Sequence, residues 1–107
     1  MEALVVYITA PGEEEAVKIA RTLVEERLAA CVNLVKGIRS LYRWEGKIED
    51  DSEVLMIAKT RRELFASLQQ RVKELHPYSV PELIALPIVG GSPDYLCWLH
   101  DATKGEG

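Results

Sequence analysis

Apolar positions along this chain follow two rhythms, one of period two and one near three and a half. Leu4 to Thr9 is a short run of β-branched and aromatic residues ended by Ala10-Pro11-Gly12, which predicts a buried strand. From Glu13 to Ala30 the period lengthens. Val17, Ala20, Val24 and Leu28 fall on one stripe flanked by Ile19 and Leu23, the pattern of a helix packed by that stripe. Glu13, Glu14 and Glu15 occupy its first turn, where the helix dipole favours anions. Cys31 to Leu34 opens a second extended segment, and Gly37 interrupts it as a bulge or bend would. Ser40, Tyr42 and Trp44 then alternate with Arg39, Leu41 and Arg43. Glu45-Gly46 is a turn signal. Ile48 to Lys59 runs back, with Glu53, Leu55, Ile57 and Lys59 on one face and Val54, Met56 and Ala58 on the other. The two arms predict one long hairpin.

Thr60-Arg61-Arg62-Glu63 has the form of a capping box opening a second helix, with Leu64, Leu68, Val72 and Leu75 as its buried stripe. His76-Pro77-Tyr78-Ser79-Val80-Pro81-Glu82 follows. Leu83 to Val89 reads as a last strand, and Pro87 makes it an edge strand or a bulged one. After Gly90-Gly91, Ser92-Pro93-Asp94 opens a short helix through Trp98, and Lys104 to Gly107 is expected to fray. The order is strand, helix, strand, strand, helix, strand, helix. It predicts an α+β fold, a ferredoxin-like βαββαβ sandwich with an extra C-terminal helix. In that arrangement the second and fourth strands lie at the edges, which agrees with Pro87.

A length of 107 residues predicts a single domain, 1–107. The net charge of −4 and the pI near 5.2 argue against nucleic acid or an anionic membrane as partner, since both need a basic footprint. No apolar run reaches the roughly 18 residues of a membrane span. Met1-Glu2-Ala3 leads straight into apolar sequence, which predicts no secretory signal. Cys31 and Cys97 are too few for a disulfide scaffold and are expected to be reduced thiols in a cytoplasmic protein. Each hairpin arm of about 13 residues is roughly 43 Å long at strand rise, whereas a compact domain of this length is about 34 Å across. The tip should overhang its own globule, and an overhanging aromatic edge needs covering. A contact that closes on itself gives a ring of copies. The alternative is an arm bent back at Gly37 onto its own sheet.

The proline loop carries the mixed chemistry. Two prolines fix φ and push His76 and Val80 toward extended backbone, so an imidazole, a phenol and a carboxylate sit in a stiff frame. His76 could ligate a metal or cap helix carbonyls. Cys31, after Ala29-Ala30 at a helix-to-strand junction, reads first as a small packed hydrophobe. A nucleophile would need an adjacent base, and nothing local supplies one. Glu53 and Lys59 share a strand face, as a rim ion pair or, if buried, as part of a polar pocket. Lys59 to Arg62 could hold an anion at a helix start or simply be solvated charge. Cys97 and His100 are spaced like half of a zinc site without a second half. Cys97 is expected to be packed, and His100 to serve as a C-terminal helix cation.

At Glu26–Asn33 (ERLAACVN), Tyr42–Lys47 (YRWEGK), Ser52–Thr60 (SEVLMIAKT), His76–Glu82 (HPYSVPE) and Tyr95–Leu99 (YLCWL) the chain resembles the CutA family, the divalent-cation tolerance proteins. The blocks are spread along nearly the whole chain in family order. The resemblance implies a homotrimer similar in architecture to the PII signalling proteins. It also implies a role in tolerance of divalent metals, copper (Cu²⁺) above all, with no established catalysis. Metal ligation in some members is attributed to a cysteine on the first strand and a His-His pair. Here Ile8 and Leu75 stand at the cysteine and the first histidine, so only His76 carries over. The family's intersubunit pocket maps to Cys31, Tyr42, Trp44, Lys59, His76, Tyr78 and Glu82. A non-obligatory metal is therefore expected on His76, Glu82 and Cys31, beside a pocket of Tyr42, Trp44, Lys59 and Tyr78. A PII-like small-molecule sensor or signalling adaptor is the alternative.

Overall fold

The computed structural model describes residues 1–105. Its elements are β1 (Ala3–Ala10), α1 (Glu13–Glu25), β2 (Cys31–Trp44), β3 (Lys47–Arg61), a single 3₁₀ turn (Arg62–Leu64), α2 (Phe65–Leu75), β4 (Leu83–Pro87) and α3 (Pro93–Thr103). The four strands form one antiparallel sheet in the order β2-β3-β1-β4, so β2 and β4 are the edges. Pro87 pairs with Leu4 at the outer strand, where a missing N–H costs least.

One face of the sheet carries the main core. Val6, Ile8 and Ala10 lie beside Ala58, Met56 and Val54 in register. Ala16, Ile19, Ala20 and Leu23 of α1 and Leu68 and Val72 of α2 close over them. The stripe of α1 is therefore centred on Ile19 and Leu23. Val17 and Val24, expected in the core, are 41% and 43% exposed. The helix also stops five residues before Ala30. Arg27 adopts φ 60°, Leu28 N–H bonds Leu23 C=O at 2.9 Å and Arg27 N–H bonds Val24 C=O at 3.1 Å. That is a Schellman ending with arginine in the place glycine usually takes. A smaller cluster of Ala3, Ala30 and Leu99 seats α3, which runs on past Trp98 to Thr103.

The capping box does not form. Thr60 is the buried penultimate residue of β3, paired with Leu4. Its hydroxyl donates to Leu28 C=O at 2.7 Å, so the turn after α1 claims the side chain. Residues Arg62 to Leu64 make the 3₁₀ turn before α2. The last strand ends at Pro87, two residues short of Val89. Lys104 lies outside α3 and reaches back to Asp101 at 3.6 Å. Of the tail expected to fray, Glu106 and Gly107 fall outside the described residues.

The hairpin is as long as expected. β1 pairs with β3 only from Val54 onward, so among the described residues Ile38–Trp44 and Lys47–Glu53 extend beyond the sheet with no other strand beside them. The molecule measures 46 × 26 × 21 Å. Gly37, at φ 74°, sits in the bulge between Val35 and Ile38. The arm continues outward there and does not fold back. At the tip, Glu45 and Gly46 both have positive φ, 49° and 78°. That conformation gives the two-residue turn whose twist suits a hairpin.

Candidate functional site

Where the overhanging hairpin leaves the sheet, the proline loop folds against it. Between them is a groove of about 710 Å³. Its walls include Thr9, Arg39, Tyr42, Trp44, Glu53 and Tyr78, with Glu82 at the loop's end. Alternation along the arms accounts for this. Tyr42 and Trp44 stand opposite Glu49 and Lys47 in register, on the face continuous with Glu53 and the open side of the sheet.

His76 is the clasp of the loop. It is 7% exposed. Its backbone N–H bonds Val72 C=O at 2.8 Å and ends α2. Tyr78 N–H donates to Nδ1 at 3.1 Å, so the ring proton sits on Nε2, which donates to Thr9 C=O at 2.7 Å. Only the backbone N–H of His76 meets a helix carbonyl; its ring instead ties a β1 carbonyl to the backbone of the loop. Tyr78 packs tilted against the imidazole at 4.9 Å and its hydroxyl donates to Glu53 Oε2 at 2.9 Å. Burial, then that bond, holds the Tyr78 phenol well above the usual tyrosine range. The Tyr42 hydroxyl donates to Asp51 Oδ2 at 2.6 Å. That bond, reinforced by desolvation and neighbouring carboxylates, pushes its pKa up to about 12. Both phenols stay protonated near neutrality and act as donors to carboxylates.

Tyr42, Trp44, Tyr78 and Glu82 come together in this groove, with His76 behind the loop. Cys31 and Lys59 do not join them. Cys31 pairs with Lys59 in register and Lys59 with Val5, which is four residues along β1 from Thr9, or roughly 13 Å at strand rise. There Lys59 Nζ donates to Asn33 Oδ1, and Cys31 contacts the same oxygen at 3.8 Å. Glu53 and Lys59 are not an ion pair; Glu53 belongs to the groove instead. The basic run after Lys59 is also engaged. Arg61 Nε donates to Thr103 Oγ1 at 3.0 Å and Arg62 pairs with Glu2. Cys97 is exposed, contrary to its expected packing. The Nδ1 of His100 is buried without a hydrogen-bond partner among the described residues.

A divalent ion wants several donors converging on one point. Among the described residues no group of three or more His, Cys, Asp and Glu side chains does so. His76 would have to give up Tyr78 N–H to offer a lone pair. Among the described residues the side-chain donors of one chain therefore do not make a chelate. Of the two readings of Glu53, the polar pocket holds for Glu53 but does not include Lys59; what the pattern did not give was its cover, the proline loop.

The chain matches the family described as CutA1 divalent ion tolerance protein over residues 4–102. It is 56% identical over 99 residues to the divalent-cation tolerance protein CutA of Thermus thermophilus, covering 92% of this chain and 96% of that one. It is 53% identical over 102 residues to the chloroplastic protein CutA of Arabidopsis thaliana, covering 95% of this chain but only 56% of the plant protein. Its structure is similar to the crystal structure of CutA1 from Oryza sativa, with a TM-score of 0.95 at 48% identity over 99% of this chain and 97% of that one.

Proposed function

The chain belongs to the CutA1 divalent ion tolerance family, and on that premise we propose that it serves in tolerance of divalent cations as a binding protein, with the groove between hairpin and proline loop as its ligand site. The observation that carries this reading is the convergence of Tyr42, Trp44, Tyr78, Glu53 and Glu82 on one cleft of about 710 Å³. The groove lies on the overhanging hairpin, so a second copy that covers the overhang also closes the site. The open sheet face favours such an assembly. It carries Val35, Ile84 and Leu86 at 44%, 51% and 45% exposure, and an apolar face of that kind is a contact surface. We take the assembly to be a PII-like homotrimer working in the cytoplasm. Its free thiols suit that compartment.

Copper fits the groove only as a shared ion. Imidazole and carboxylate favour Cu²⁺ over Zn²⁺, but His76 and Glu82 are two donors on one chain, and the first is already bonded at both nitrogens. Binding should be weak and not required for folding. We read the role as binding, not catalysis. The second reading, a small-molecule sensor with the same assembly, is favoured by the groove's size, which suits an organic ligand better than a lone ion. Thermal shift with Cu²⁺ and with organic ligands separates the two. Stabilisation by Cu²⁺ that His76→Ala removes supports direct metal binding. Stabilisation by organic ligands alone supports the sensor. No stabilisation by either refutes the groove as the site.

A further inference from the structure

Glu53 is a buried charge without a cation. It is 5% exposed. Among the described residues its hydrogen-bond donor is the neutral Tyr78 hydroxyl on Oε2, and it takes part in no ion pair. A carboxylate so little exposed is ordinarily paired with a cation. Among the described residues no cation in the groove's lining is paired with it. Arg39 is the guanidinium in the lining, and it is spent on Asp50, with Nε to Oδ1 at 2.9 Å and Nη2 to Oδ2 at 2.7 Å. Asp51 stands behind Tyr42, and Glu82 adds another negative charge at the loop. The walls are aromatic. Tyr42 and Trp44 are 37% and 42% exposed along the same groove, and ring faces attract ammonium and guanidinium groups.

We propose that this groove binds an organic cation of the primary-ammonium or guanidinium class, its N–H donors on the free side of Glu53 and its charge against the rings of Trp44 and Tyr42. The proposal rests on the reading of the groove as the ligand site and names its ligand chemistry. A bare dication is served worse, because it needs several oxygen or nitrogen donors and finds one buried carboxylate. An anion is excluded by the uncompensated Glu53. A volume of about 710 Å³ lies within the range of small-molecule sites.

Isothermal titration of the intact protein with agmatine, which carries a guanidinium and a primary ammonium, tests this, with glutarate and CuCl₂ as comparison ligands. Tryptophan emission, followed in a Trp98→Phe background so that Trp44 alone reports, shows whether the groove is reached at all. The expected result is binding of agmatine, quenching or shift of Trp44 emission, and no binding of glutarate. Glu53→Gln keeps the shape and should weaken agmatine roughly tenfold to a hundredfold, the range of a charge-assisted hydrogen bond. Trp44→Leu should also weaken it, and serves if Glu53→Gln does not fold. Agmatine binding that is equal in wild type, Glu53→Gln and Trp44→Leu overturns the proposal, as does glutarate binding in agmatine's place. If CuCl₂ changes Trp44 emission and agmatine does not, the cation class is wrong while the groove stands. If neither changes it, both fail.

Discussion

Replacing Tyr78 by phenylalanine removes one oxygen and leaves the ring. The tilted contact with His76 at 4.9 Å and the backbone bond to Nδ1 are retained. What disappears is the 2.9 Å donor to Glu53, whose carboxylate is 5% exposed. A hydrogen bond to a charged group contributes about 1.5–3 kcal/mol, and a buried acceptor left without its donor adds its own desolvation cost. Tyr78→Phe should therefore destabilise the fold by about 2–3 kcal/mol per chain. If Glu53 carries the effect, Tyr78→Phe in a Glu53→Gln background should cost about 1 kcal/mol or less, giving a coupling of about 1–2 kcal/mol. Urea unfolding of the four proteins at one fixed chain concentration and neutral pH measures this cycle. The phenol's raised pKa keeps it protonated throughout that range. A Tyr78→Phe variant within about 0.5 kcal/mol of wild type, the spread of an ordinary surface change, would refute the reasoning. So would a coupling near zero.

Glu45→Asn should stabilise the hairpin by about 0.5 kcal/mol, because Glu45 holds φ 49° ahead of Gly46 and asparagine tolerates that region better than glutamate; urea midpoints at equal chain concentration check it. Alkaline titration should show stability falling as pH rises from 10.0 toward 12, since unfolded tyrosine ionises near 10.0 while Tyr42 keeps its proton to about 12. The contribution is fully present below the unfolded value and lost as pH passes the folded one. Tyrosinate absorbance near 295 nm should lose a late-titrating step in Tyr42→Phe, and an unchanged titration curve would count against the Asp51 bond.

Much of this molecule was legible in its pattern because single positions admit few conformations. Pro87 marked an edge strand, Gly37 the bulge and Glu45-Gly46 the turn, and alternation put Tyr42 and Trp44 on the face that lines the groove. The misses have a common cause, a distant contact that outweighs a local signal. Thr60 looked like a helix cap but is claimed by Leu28 C=O across the fold. The end of α1 carries no glycine, so the left-handed Arg27 left nothing to read. The α1 stripe was displaced by one position because Val17 and Val24 are apolar yet face outward beside β2. Lys59 shared a strand face with Glu53 in the pattern, and the strand register sets Cys31 beside Lys59, well along the strand from Glu53. Glu53 gained its importance from a loop more than twenty residues away in sequence, which no local window contains.

As a ligand site the groove depends on closure by another copy of the chain. Sedimentation equilibrium of the wild-type protein at micromolar concentration tests this most directly. A homotrimer predicts a mass about three times the 12.0 kDa of one chain. A single species at 12.0 kDa under the same conditions would contradict it.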